Sequence, residues 1–198
     1  MNNNKKISVQ TIAVIALLAA LSYASFTFLQ IKIPMPGGDA TSIHLGNSIC
    51  VLGALLFGGL YGGLGGAIGM TIGDLFDPIY IVYAPKTFVL KFFIGLITGF
   101  VAHKVLRIGK HADNKKKLTT RAAIAGASGL LFNCIFDPLV GYYYKLLILG
   151  KPAAELTLVY NISATTINAV TSTIVATAVY VAVLGAMKKS GLFRDILK

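Results

Sequence analysis

The 198-residue chain has no tryptophan, two cysteines and seven acidic residues, and only 13% of it is charged against 56% hydrophobic. Each shortage excludes something. A soluble globular domain carries about a quarter charged residues, so this composition, with a mean hydropathy of +0.75, belongs to a membrane protein. Cys50 and Cys134 both lie inside apolar runs, where cysteine acts as a small buried hydrophobe, so neither a disulfide framework nor a metal site is expected. Without tryptophan there is no indole platform for a flat ligand. No GxxxxGK[ST] loop is present, so the chain does not hydrolyse ATP by itself.

The formal charge of +11 does not point to nucleic acid, because the basic residues fall in gaps between long uncharged runs rather than along one face. The first run, Ile7 to Leu29, follows Lys5 and Lys6. It exceeds the ~7–15 residues of a signal-peptide core and matches the ~20 that cross a bilayer. The hydropathy pattern predicts an all-α integral membrane protein forming a single domain over 1–198, with six transmembrane helices at about 7–29, 43–58, 60–76, 86–106, 119–147 and 157–187. Between Ala40 and Gly73 the stretch free of Asp, Glu, Lys and Arg is too short for two full spans. Two short helices joined at "FGGLYGG", residues 57–63, fit it better than one long helix.

Orientation follows from the cations. With the amino terminus inside, thirteen of the eighteen Lys and Arg residues lie on the cytoplasmic side, seven of them in the basic loop 104–121. Both termini are then cytoplasmic. Asp39, Asp74, Asp77, Asp137 and Glu155 gather at the outer side, with Asp113 and Asp195 inside.

Chemistry is expected in the outer half. "FDPIYIVY" at 76–83 and "FDPLVGYY" at 136–143 share Phe, Asp, Pro and a Tyr seven positions after the Phe. A proline after aspartate disfavours helix at the aspartate, and lipid tolerates the freed backbone only at an interface or beside a cavity. Asp77 is either a helix cap or part of such a site. Asp137 interrupts an apolar run and is a site candidate by default. Of the successive Tyr142, Tyr143 and Tyr144, at least one must turn inward on a helix. Asn161, Thr165 and Asn168 share a helix face, as interhelical glue or as ligand contacts. Alanines repeat every four residues at Ala16, Ala20 and Ala24, and glycines at Gly58, Gly62 and Gly66 and again at Gly65, Gly69 and Gly73. Such stripes let helices approach closely: internal packing for the glycines, and for the alanines an alternative role as an exposed docking face.

An alanine stripe on the first helix, a Pro/Gly-rich outer loop, "IHLGNSICVLGALLFGGLYGGLGGAIG" and "GDLFDPIYIVYAPKTFVLKFFIGLITGF" together resemble the substrate-binding S component of energy-coupling factor (ECF) vitamin transporters. Within that family the chain looks closest to the riboflavin-, pyridoxine- or hydroxymethylpyrimidine-type members. The resemblance implies a non-enzymatic, cofactor-free binding subunit in the bacterial cell membrane. It would capture a vitamin-type small molecule from outside and dock through Ala16, Ala20 and Ala24 onto a transmembrane coupling subunit driven by two ATPases. It also implies that loop 30–42 is a lid, with Pro34 and Pro36 stiffening an arm and Gly37 and Gly38 as a hinge. The ligand would meet Asp39, His44, Asn47, Tyr83, Lys86, Lys91, Asn133, Asp137, Tyr143, Asn161 and Asn168.

The tyrosines and the mixture of Lys, Asp, Asn and His favour a pyridoxine- or hydroxymethylpyrimidine-like heterocycle. Riboflavin, a queuosine precursor and pantothenate remain alternatives. From other classes, an intramembrane enzyme using the carboxylates of "DLFD" and a non-transporting scaffold stay open.

Overall fold

The computed structural model describes residues 8–111, 113–151 and 154–189. Six α-helices account for most of them: α1 Val9–Phe28, α2 Gly46–Phe57, α3 Gly59–Leu75, α4 Ala84–Gly99, α5 Lys115–Tyr143 and α6 Ala154–Lys189. Wider π-type turns carry α4 on through Phe100–Val105 and α5 through Tyr144–Ile148. With these extensions, four helical stretches are long and apolar enough to cross a membrane, at 9–28, 81–105, 115–148 and 155–186. The other two are shorter, 12 residues for α2 and 17 for α3.

The helices begin where the local chemistry starts them. Ser8 caps α1 by accepting the Thr11 N–H at 3.1 Å, Asn114 caps α5 by accepting that of Lys117 at 3.0 Å, and Pro85 occupies the first turn of α4, where its missing N–H costs nothing. Gly58 separates α2 from α3 with a φ of +95°, a conformation that a side chain would strain.

Glycine makes α3 the hub. Gly62 and Gly66 abut Ala54 and Cys50 of α2, Gly59 and Gly63 abut Gly99 and Gly95 of α4, and Gly65, Gly69 and Gly73 receive Leu18, Ala19 and Phe26 of α1. A Cβ at any of these positions would overlap a neighbour, so the stripes are packing surfaces that bring three helices against one. On α1 the buried residues are Leu18, Ala19, Ser22 and Phe26. Ala16 and Ala20 remain exposed and Ala24 half-buried, so the alanine stripe is not the buried face of α1.

One expectation needs correction. The segment after α1 is not an irregular loop but an antiparallel hairpin of β1 (Gln30–Met35) and β2 (Asp39–His44), in register from Gln30 opposite His44 to Met35 opposite Asp39. Pro34 is tolerated because a two-stranded ribbon needs no ladder donor on its outer edge, and Gly37 and Gly38, with φ of +83° and +73°, make the turn rather than a hinge. α5 runs on through Asp137, with Pro138 inside the helix. The neighbouring helices and the cavity beside this turn let the proline stay in the helix.

Candidate functional site

The hairpin, α2, the end of α3, and the adjoining faces of α4, α5 and α6 enclose one polar cavity of about 100 Å³. Helical spacing builds its walls. Asn133, Asp137, Gly141 and Lys145 follow one another every four residues on α5 and its extension, and all line the cavity. Lys86, Thr87 and Lys91 face them from α4, and Asn161, Thr165 and Asn168 from α6. Asn47 and Asp74 close the far side from α2 and α3, and Ala40 to Ser42 with His44 form the roof.

The charges are arranged in two sets. Lys86 and Lys91 both pair with Asp137, Lys91 at 3.1 Å, and Lys91 also donates to Asn133 Oδ1 at 3.1 Å. Two cations on one carboxylate compensate burial that neither would tolerate alone. The second set ties the roof to the walls. Asp39 Oδ2 accepts from the Tyr83 hydroxyl at 2.6 Å and stands 2.7 Å from Lys145 Nζ, while Lys151 lies 3.5 Å from the other oxygen. Burial raises the Asp39 carboxyl, but the Lys145 and Tyr83 hydrogen bonds and the two lysine charges outweigh it and hold the group below the ordinary carboxylate range. On the other arm, Lys32 of β1 pairs with Asp77. Asp77 sits in the turn after α3, where it accepts the Ile79 N–H at 3.0 Å, and it is not a helix cap.

The roof is also held by an amide. Asn168 accepts the His44 N–H at 2.8 Å and donates to the Ser42 carbonyl at 2.9 Å, so one side chain of α6 pairs with the β2 backbone as another strand would. His44 is buried with its ring edge-on to Phe26, 4.9 Å between centroids, and its Nδ1 accepts the Gly46 N–H at 3.2 Å. Burial, aided by the Lys91 charge, pushes His44 down to about 3, so the ring is neutral and Nε2 carries the proton.

Of the residues expected at the ligand, His44, Asn47, Tyr83, Lys86, Lys91, Asn133, Asp137, Asn161 and Asn168 line this cavity. Asp39 acts behind the roof, through Tyr83 and Lys145. Tyr143 does not belong: it is 51% exposed, because the turn that brings Gly141 and Lys145 inward carries position 143 to the opposite face. Its neighbour Tyr144 donates to the Val82 carbonyl at 2.9 Å instead of entering the cavity. The rings that do line it are Phe26, Tyr80 and Tyr83. Sequence reasoning also missed Asp74, Thr87 and Lys145; the four-residue step from Asp137 through Gly141 was the signal for Lys145.

No group of three or more His, Cys, Asp or Glu side chains among the described residues is arranged to hold a metal ion. A family model described as "ECF-type riboflavin transporter, S component" matches residues 6–184. No curated protein and no solved structure matches the chain.

Proposed function

Given that the chain belongs to the ECF-type riboflavin transporter S-component family, a family of multi-pass membrane binding subunits rather than enzymes, we propose that it captures a single-ring heterocycle of the pyridoxine or hydroxymethylpyrimidine kind. The observation that carries this reading is the cavity itself. At about 100 Å³ it lies well below the ~300–1,000 Å³ of pockets for drug-sized ligands, and so favours one substituted ring over the three fused rings and ribityl chain of riboflavin. Its lining combines aromatic rings with Lys, Asp and Asn side chains, the equipment for a flat polar molecule. Riboflavin remains the second reading because the family is described by it; binding riboflavin would require the walls to part.

The ligand enters from outside, beneath the β1–β2 hairpin. In this arrangement all six helices belong to the membrane domain, with α2 and α3 as short members either side of Gly58, both termini cytoplasmic and the basic 104–121 segment inside. The positive-inside bias and the clustering of acidic residues around the cavity support that orientation. Delivery runs through the ECF module with which S components associate: a membrane coupling subunit and two ATPases. The face of α1 carrying Ala16, Ala20 and Ala24 is the docking surface, favoured by its exposure and by the separate residues that α1 uses against α3.

The test is to purify the chain alone in detergent with no added ligand, release any small molecule that accompanies it, and identify it by mass spectrometry. A stoichiometric single-ring heterocycle establishes the reading. Riboflavin in that position establishes the second one, and an empty protein whose melting temperature no vitamin or nucleobase raises removes both.

A further inference from the structure

The lysines of the cavity are occupied: Lys86 and Lys91 by Asp137, and Lys145 by Asp39 and the Thr157 hydroxyl. Two acceptors in the same lining are not. Asp74, in the last turn of α3, is 3% exposed and lines the cavity, and its Oδ2 has no hydrogen-bond partner among the described residues. Asn47, in the first turn of α2, is 1% exposed and lines the same space, and its Oδ1 is likewise unpartnered. The two helices are antiparallel, with Gly46 packed on Met70, so both oxygens belong to the same end of the pair.

Buried acceptors are rarely left unmatched, and a buried carboxylate oxygen is the costliest kind to leave so. Accepting the cavity as the ligand pocket, on which this rests, we infer that Asp74 and Asn47 form an acceptor pair that receives an N–H or O–H group of the ligand. The pair selects a neutral or protonated nitrogen heterocycle bearing an amino or hydroxyl donor. It also selects against anions. An anionic group placed at the pair would meet two oxygen acceptors instead of donors.

The test uses the purified full chain and calorimetric titration with two matched pairs of probes: an aminopyrimidine and the same ring with its amine replaced by hydrogen, and pyridoxine and the same ring without its phenolic hydroxyl. Pantothenate serves as the anionic probe. A hydrogen bond to a charged acceptor separates donor-bearing from donor-lacking probes by roughly 10- to 100-fold in Kd. In wild type at least one pair should show that gap, Asp74→Asn should shrink it by about tenfold, and pantothenate should not compete. An undiminished gap in Asp74→Asn, no gap in wild type, or preferential binding of pantothenate overturns the inference. Should Asp74→Asn fail to fold, the wild-type comparison decides alone, since it needs no variant. Binding that ignores Asp74 sinks this inference while leaving the capture reading intact; a chain that binds no probe and carries no small molecule of its own sinks both.

Discussion

Asn168 on α6 accepts the backbone N–H of His44 at 2.8 Å, and the same amide donates to the Ser42 carbonyl, so the hairpin over the cavity is fastened by one side chain 124 residues away. Replacing it with leucine leaves two backbone groups unmatched, each worth roughly 1–3 kcal/mol when buried. Asn168→Leu should weaken ligand binding by about tenfold or more, and hydrogen exchange at the His44 amide should accelerate. Unchanged protection of the His44 amide would show that the hairpin is held by something else.

The Asp39 latch gives the closed hairpin a pH dependence. A carboxyl lowered in the folded state contributes stability above its unfolded value of ~3.9, and that contribution is lost as pH falls below it. The latch's own contribution to hairpin closure, read as the difference in ligand dissociation rate between wild type and Asp39→Asn, should therefore be steady from neutral pH down to about 4 and shrink below that. Asp39→Asn should release ligand faster at neutral pH and flatten the acid limb. A profile identical to wild type argues against the latch.

Around Asp137 the order of effects is informative. Removing one lysine leaves the other still paired with the carboxylate, whereas Asp137→Asn strands two buried cations. Breaking a buried pair costs about 3–5 kcal/mol, so Asp137→Asn should lower Tm more than either Lys86→Met or Lys91→Met. Thermal unfolding of the three variants in one detergent checks the ranking; a lysine variant proving the least stable contradicts it.

The glycine hub predicts sharp contrasts between alanine substitutions. At Gly95 a Cβ would strike the Gly63 backbone, while at Gly109 nothing lies within 4 Å. Gly95→Ala should push α3 and α4 apart, costing on the order of 1–3 kcal/mol, and Gly109→Ala should be silent. Detergent-solubilised yield and melting temperature separate the two cases.

On α1, Ala20→Phe enlarges an exposed position and leaves the α1–α3 crossing alone. The purified variant should bind ligand as wild type does, yet fail to co-purify with the coupling subunit. Full retention of that complex would move the docking surface elsewhere.

Much of this architecture was legible because lipid imposes a simple rule: backbone polar groups must be satisfied within the segment, so long apolar runs become helices. Hence 9–28, 81–105, 115–148 and 155–186 stood near where the runs placed them, and the turn at Gly58 announced itself by glycine. The hairpin was less legible. Its alternation is weak and its prolines and glycines mimic a loop, and its pairing partner is its own other arm, with support from the distant Asn168. Proline disfavours helix locally at Asp137, yet the long apolar run and the packed interior keep α5 continuous through it.

Composition and run length determined by themselves that this chain is a helical membrane protein, because these depend only on which side chains tolerate hydrocarbon. Which polar residues meet was decided by tertiary structure. Tyr143 and Lys145 lie two positions apart, but helix rotation sends one outward and the other to Asp39. Asp74 and Asn47 read as unrelated until the glycines of α3 let α2 lie against it and brought both oxygens to one cavity.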